Sequence, residues 1–176
     1  MEIFVGENAS MRYSSVENWS IDTYNLNTKR ALVEAGGRIE WTGGNLGSGT
    51  TMLYPCSILK GDRSSSSHVG IVFANEGQVA DTGAKVIHIG RETTSRVLSK
   101  SLSKGGGLSV YRGLVNILPS ATGAVSEVVC DALLLDRHSK NDTIPDIRVG
   151  TPTATVAHEA TAGRIGTEEI FYLRSR

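Results

Sequence analysis

Two thiols, four imidazoles and a handful of clustered polar side chains carry what chemistry this 176-residue chain can offer. Cys56 and Cys130 stand far apart, and neither belongs to a Cys-x-x-Cys pair, so no zinc ribbon is encoded. Cys130 lies in the apolar run Val128–Leu135 and by residue type alone reads as a buried core thiol. Cys56, behind Pro55, reads as core filler, and His68, His88 and His138 as structural or exposed imidazoles. His158 and Glu159 follow the β-type stretch Thr153–Ala157. Neighbouring strand residues point to opposite faces, so both can serve one centre only where the strand ends or bulges, and His158 ranks above Glu159 as a ligand. Ser15, Glu17 and Trp19 fall at period two on one face, and Lys29 and Thr51 sit in nearby segments. Turned inward, a Lys and a Glu would need each other or water.

Hydrolytic and nucleotide chemistry find no support. No Ser/His/Asp order or carboxylate pair stands out. Gly105-Gly106-Gly107 lacks the following helix and Lys of a phosphate loop and reads as a turn.

The elements that must position these residues are short strands. Segments of β type recur at Ser14–Trp19, Lys29–Glu34, Arg38–Thr42, Thr50–Tyr54, His68–Ala74 and Ala84–Ile89, and again at Arg96–Ser103, Leu108–Ile117, Val125–Leu135, Asp146–Val149 and Thr153–Glu159. Gly, Asn, Asp or Ser clusters separate most of them, and the run Ser64–Ser67 reads as a loop. Such spacing fits a sandwich, a barrel or a parallel β-solenoid, and periodicity does not choose among them. The shortage of Asn-Gly and Asp-Gly pairs disfavours hairpins. Gly166–Arg174 reads as a helix start with Thr167 as its cap and Glu168 and Glu169 at the positive end of the dipole. The expected division is a β core over 1–165 and the start of a truncated helical segment over 166–176. Both ends read as cut, as in a piece of a longer protein.

With 18 basic and 18 acidic residues the formal net charge is zero, which gives no field to gather nucleic acid. No apolar run reaches the roughly 18 residues of a membrane span, and the start lacks a signal-peptide plan. Two distant cysteines suit a reducing cytoplasm.

Several stretches, in order, resemble the SufB/SufD family of iron–sulfur cluster assembly scaffolds. They are Glu7–Trp19 (ENASMRYSSVENW), Tyr24–Ala31 (YNLNTKRA), Asp81–Ile89 (DTGAKVIHI), Tyr111–Val115 (YRGLV), Val129-Cys130-Asp131 and His158–Thr161 (HEAT). The terminal Phe171–Arg176 is closer to SufD. Ala157 stands where SufB proteins often have Glu, Asp136–Lys140 lacks a second cysteine, and Glu159 stands where SufD proteins usually have Gly. This mixed character is what a scaffold pairing with itself would show.

The resemblance implies an all-β fold, a right-handed parallel β-helix. It implies a non-enzymatic scaffold working with a SufC-type ATPase and a cysteine desulfurase, as a homodimer or with a SufB/SufD paralogue. Its cargo is a transient iron–sulfur cluster, held by Cys130 and His158, with Glu159 as a lesser candidate. Ser15, Glu17, Trp19, Lys29 and Thr51 would line a polar interior route for sulfur. Two-fold pairing through the C-terminal coils would build each site from Cys130 of one chain and His158 of the other. The rival readings are a β-solenoid enzyme acting on polysaccharide, disfavoured by 6% aromatic residues, and a purely structural solenoid.

Overall fold

In the computed structural model, which describes residues 1–164 and 166–176, the chain winds as a parallel β-helix. Its strands are β1 (Glu2–Val5), β2 (Ser10–Glu17), β3 (Tyr24–Asn27), β4 (Arg30–Val33), β5 (Arg38–Asn45), β6 (Thr50–Leu53) and β7 (Cys56–Leu59). They continue as β8 (Ser65–Ala74), β9 (Val79–His88), β10 (Thr94–Ser103), β11 (Leu108–Ile117), β12 (Val125–Leu134), β13 (Lys140–Val149) and β14 (Thr155–Arg164), before helix α1 (Thr167–Arg174). One sheet runs β2-β5-β8-β10-β12-β14, and the other β1-β4-β7-β9-β11-β13 with β3 and β6 beside it. Every pairing among them is parallel. Parallel neighbours joined without hairpins explain the missing Asn-Gly signals.

Five successive coils, from β1–β2 to β11–β12, turn one corner on a residue in the left-handed region. Asn8, Gly36, Arg63, Glu92 and Gly123 hold φ between 54° and 72° in successive coils. Their amides reach across to the next coil, from Asn8 to Ala35, Gly36 to Asp62, Arg63 to Arg91 and Glu92 to Thr122. Three of these five carry a Cβ, so the ladder offsets a strain that glycine alone avoids.

Several strands lie outside the sequence expectation. β9 begins at Val79 rather than Ala84, and its first half pairs β6 and β11. β13 begins at Lys140 rather than Asp146, and β8 begins at Ser65, inside the serine run read as a loop. β3–β4 and β6–β7 are single strands broken midway, the second at Pro55, which has no ladder N–H to give. The helix cap is Gly166 rather than Thr167: the Gly166 amide donates to Glu169 Oε2 at 2.6 Å. The expected boundary at 165 lies outside the described residues. Among these, no helix is long and apolar enough to cross a membrane.

The interior mixes aliphatic and small polar side chains. Ile39, Leu59, Val86, Val97, Val115 and Ile117 pack in one cluster with Trp41, Tyr111 and Cys130. His88 is fully buried, with Nδ1 2.8 Å from Thr93 Oγ1 and Nε2 3.0 Å from Ser95 Oγ. Burial lowers its pKa to about 4 and that of His68 to about 3. An unfolded chain would protonate both near pH 6.5. Their contribution to stability is therefore complete above pH 6.5 and lost as pH falls through the 6.5-to-4 window. The slope approaches about 1.4 kcal/mol per pH unit for each histidine. Urea midpoints measured from pH 7 to pH 4.5 should fall on that side of 6.5, and His88→Gln should flatten the fall by about half.

Candidate functional site

The site follows from strand register. In the six-stranded sheet, inward positions stack into columns running the length of the helix. One column reads Ser15, Gly43, Gly70, Ser99, Cys130, Ala160, each directly beside the next. The neighbouring column reads Tyr13, Trp41, His68, Val97, Val128, His158. Small residues thus run from Ser15 to Cys130 along the inner wall. A Cβ at Gly43 or at Gly70 would meet nothing within 4 Å.

That void belongs to a small inner chamber. Ser15, Lys29, Trp41, Gly43, Gly70, Ser99 and Tyr111 are among its walls. Asn45 also lines it, nine-tenths buried, with its Oδ1 unpartnered. Lys29 sits in the break between β3 and β4 and is buried. Its Nζ donates to Glu17 Oε1 at 2.6 Å and to Ser15 Oγ at 3.1 Å, and lies 5.3 Å from the Tyr13 ring centroid. Asn25 donates to the other oxygen of Glu17. The buried charges are paired, as burial demands. Thr51 is fully buried beside Asn25. Trp19 does not join them: β2 ends at Glu17, and Trp19 stands on a loop, 58% exposed.

At the other end Cys130 is buried, 5% exposed, facing inward from β12. Burial pushes its thiol up to about 11, the Tyr111 hydroxyl opposes this, and the Asp131 carboxylate adds to it. His158 flanks Val128 on β14, two residues before Cys130's own neighbour Ala160. Cys130 and His158 therefore lie diagonally on one face, their Cα atoms about 8 Å apart by strand geometry. β14 runs unbroken through this point, so Glu159 turns to the outer face beside Val129. His158 is exposed because β14 is the last strand of its sheet.

The whole chain, residues 1–176, matches the family model described as SUF system FeS cluster assembly, SufBD core domain. The chain belongs to the SufBD core family. It is 44% identical over 176 residues to an iron–sulfur cluster assembly SufBD family protein of Mycobacterium leprae, covering all of this chain and 20% of that protein. Proteins of the same description from Staphylococcus saprophyticus and Staphylococcus haemolyticus are 46% and 45% identical, again over the whole chain and 38% of theirs. The chain thus spans between a fifth and two fifths of the length of these relatives.

In this SufBD core, one chain brings together two candidate ligands, a thiol and an imidazole. Among the described residues no group of three His, Cys, Asp or Glu side chains could hold a metal ion. The pair suits iron in kind and falls short in number. Both residues lie on one chain's inner face, on adjacent strands.

Sequence reasoning passed over Trp41, Ser57, Gly43, Gly70 and Tyr111, and read His68 only as a structural or exposed imidazole. Trp41 Nε1 donates to Ser57 Oγ at 3.0 Å, and Ser57 Oγ lies 3.0 Å from His68 Nε2, a buried polar chain on the chamber wall. The available signal was the pair Gly43-Gly44 and the lone Gly70 inside strands, where glycine marks missing side-chain volume.

Proposed function

We propose that this SufBD core is a scaffold on which an iron–sulfur cluster, as cargo, is assembled at Cys130 and His158. The observation that carries the reading is the inward column in which Gly43, Gly70 and Ser99 leave open space between the Lys29–Glu17–Ser15 group and Cys130. Sulfur entering near Lys29 would follow the small-residue column Gly43, Gly70 and Ser99 toward the buried thiol, and iron would meet that thiol and the His158 ring at the open end. A thiolate and a neutral imidazole are ligands iron accepts, and proton loss from Cys130 accompanies metal binding.

In this reading the protein works in the cytoplasm with a cysteine desulfurase as sulfur source and a SufC-type ATPase, and catalyses no turnover of its own. The missing ligands come from a second copy, or a SufB/SufD paralogue, laid against the free edges of β13 and β14. Unpaired strand edges invite such pairing. The test is anaerobic reconstitution of the full-length protein with iron and sulfide. Wild type should develop the charge-transfer absorption of a cluster. Cys130→Ser and His158→Ala should lose it while keeping their far-ultraviolet dichroism. A folded Cys130→Ser variant that loads like wild type would end the proposal.

A further inference from the structure

Strands β2, β5 and β8 lay out a square patch of inward positions. β2 gives Tyr13, Ser15 and Glu17, β5 gives Trp41, Gly43 and Asn45, and β8 gives His68, Gly70 and Val72, each in register with the next. Glycine stands at the centre. A Cβ on Gly43 would meet nothing within 4 Å, so the middle of the patch is open space ringed by larger side chains. Ser15, Trp41, Asn45, His68 and Val72 all line the chamber to which this opening belongs.

One corner of the opening is polar and incompletely bonded. Asn45 lies beside Glu17 in register, nine-tenths buried, and its Oδ1 has no hydrogen-bond partner. A buried oxygen left without a donor is costly, and folded proteins seldom leave one so. Lys29 Nζ uses two of its three N–H groups on Glu17 Oε1 and Ser15 Oγ. Ser15 Oγ, having accepted from Lys29, keeps its own O–H to donate. The charges of Lys29 and Glu17 offset each other, so the corner presents no net charge to a guest. The other walls, Trp41, Leu53, Val72 and Ala84 among them, are apolar. The guest such a space suits is small and neutral, has a hydrogen to donate, and loses little on leaving water.

Dihydrogen sulfide has these properties. Its S–H donates weakly, its sulfur accepts from a hydroxyl, and sulfur packs well against aromatic rings such as those of Tyr13 and Trp41. A water molecule would serve the polar corner alone, whereas the larger sulfur atom also reaches the apolar walls. We propose that the opening over Gly43 is a holding site for sulfur at the sulfide level, bound as dihydrogen sulfide with its S–H given to Asn45 Oδ1. The purpose of the site rests on the scaffold reading, to which it adds the form of the sulfur held and the residue that selects it.

The test is binding without iron, whereas the scaffold reading is tested by iron loading, so either can fail alone. Crystals of the full-length protein are soaked anaerobically in sodium sulfide, at a pH below the first ionisation of sulfide. Long-wavelength anomalous maps then show sulfur and not water. A peak is expected over Gly43, beside Asn45 and Ser15. Asn45→Leu removes the acceptor and keeps the bulk, and should need about tenfold more sulfide for the same peak, as loss of one buried hydrogen bond implies. Gly43→Val should abolish the peak by filling the space, where a Cβ meets no obstruction and a β-branched residue suits a strand. Cys130→Ser, three strands away along the column, should retain it. A wild-type map without sulfur over Gly43, a peak undiminished in Gly43→Val or Asn45→Leu, or a peak lost in Cys130→Ser would overturn the proposal.

Discussion

Gly70→Leu should stop cluster assembly without harming the fold. Position 70 faces the chamber midway between Ser15 and Cys130, and a Cβ there finds no atom within 4 Å. A leucine side chain would fill the passage instead of colliding with its walls. Replacing an interior strand glycine also lowers the entropy of the unfolded chain, so stability should hold or rise by up to about 1 kcal/mol. The expected loss is at least about tenfold in assembly rate when sulfur is supplied enzymatically, since geometry that blocks a reaction path costs orders of magnitude. Gly44→Leu is the control. Gly44 neighbours Gly43 but faces outward, where its Cβ would make ordinary contact with Val16 at 3.7 Å. That variant should assemble clusters normally. Full activity in folded Gly70→Leu would show that sulfur reaches Cys130 by another way.

The second large effect is at Lys29. Its ammonium and the Glu17 carboxylate have 8% and 11% of their side chains exposed. Lys29→Met strands that carboxylate inside with Asn25 as its remaining partner, a loss on the order of 3–5 kcal/mol for a buried pair broken on one side. The double variant Lys29→Met/Glu17→Gln removes both charges and should recover most of that stability in chemical denaturation. If the pair serves sulfur passage, the double variant stays deficient in assembly despite its regained fold. If assembly returns with stability, the pair is a structural device only.

How much of this was legible in the sequence differs from residue to residue. Cys130 and His158 were legible through their motifs, and the alternation rule already set Glu159 apart from His158. Strand register then placed the first two on one face. The pair Lys29 and Glu17 was legible as a cost: an inward Lys and Glu had to meet, and they do. Trp19 was misplaced because period-two counting ran past the end of β2, where the chain leaves the sheet for a loop. The aromatic wall came instead from Trp41, which periodicity places on an inward face but cannot align with Tyr13 and His68 across coils. That alignment depends on loop lengths between coils, and no local signal in one strand fixes it. Tyr111 was hidden for a similar reason. It shares a core cluster with Cys130 of the opposite sheet, and its room comes from Gly113, which in sequence reads as part of a motif rather than as space.

The central claim is that Cys130 and His158 together hold the nascent cluster. It is tested most directly by pulsed electron-nuclear double resonance on the full-length protein, reconstituted anaerobically with iron and sulfide, reduced, and grown with ¹⁵N-histidine. The account predicts a cluster signal carrying a histidine ¹⁵N coupling, the coupling lost in His158→Ala and the whole signal lost in Cys130→Ser. A Cys130→Ser protein that forms the same cluster with the same nitrogen coupling would contradict it.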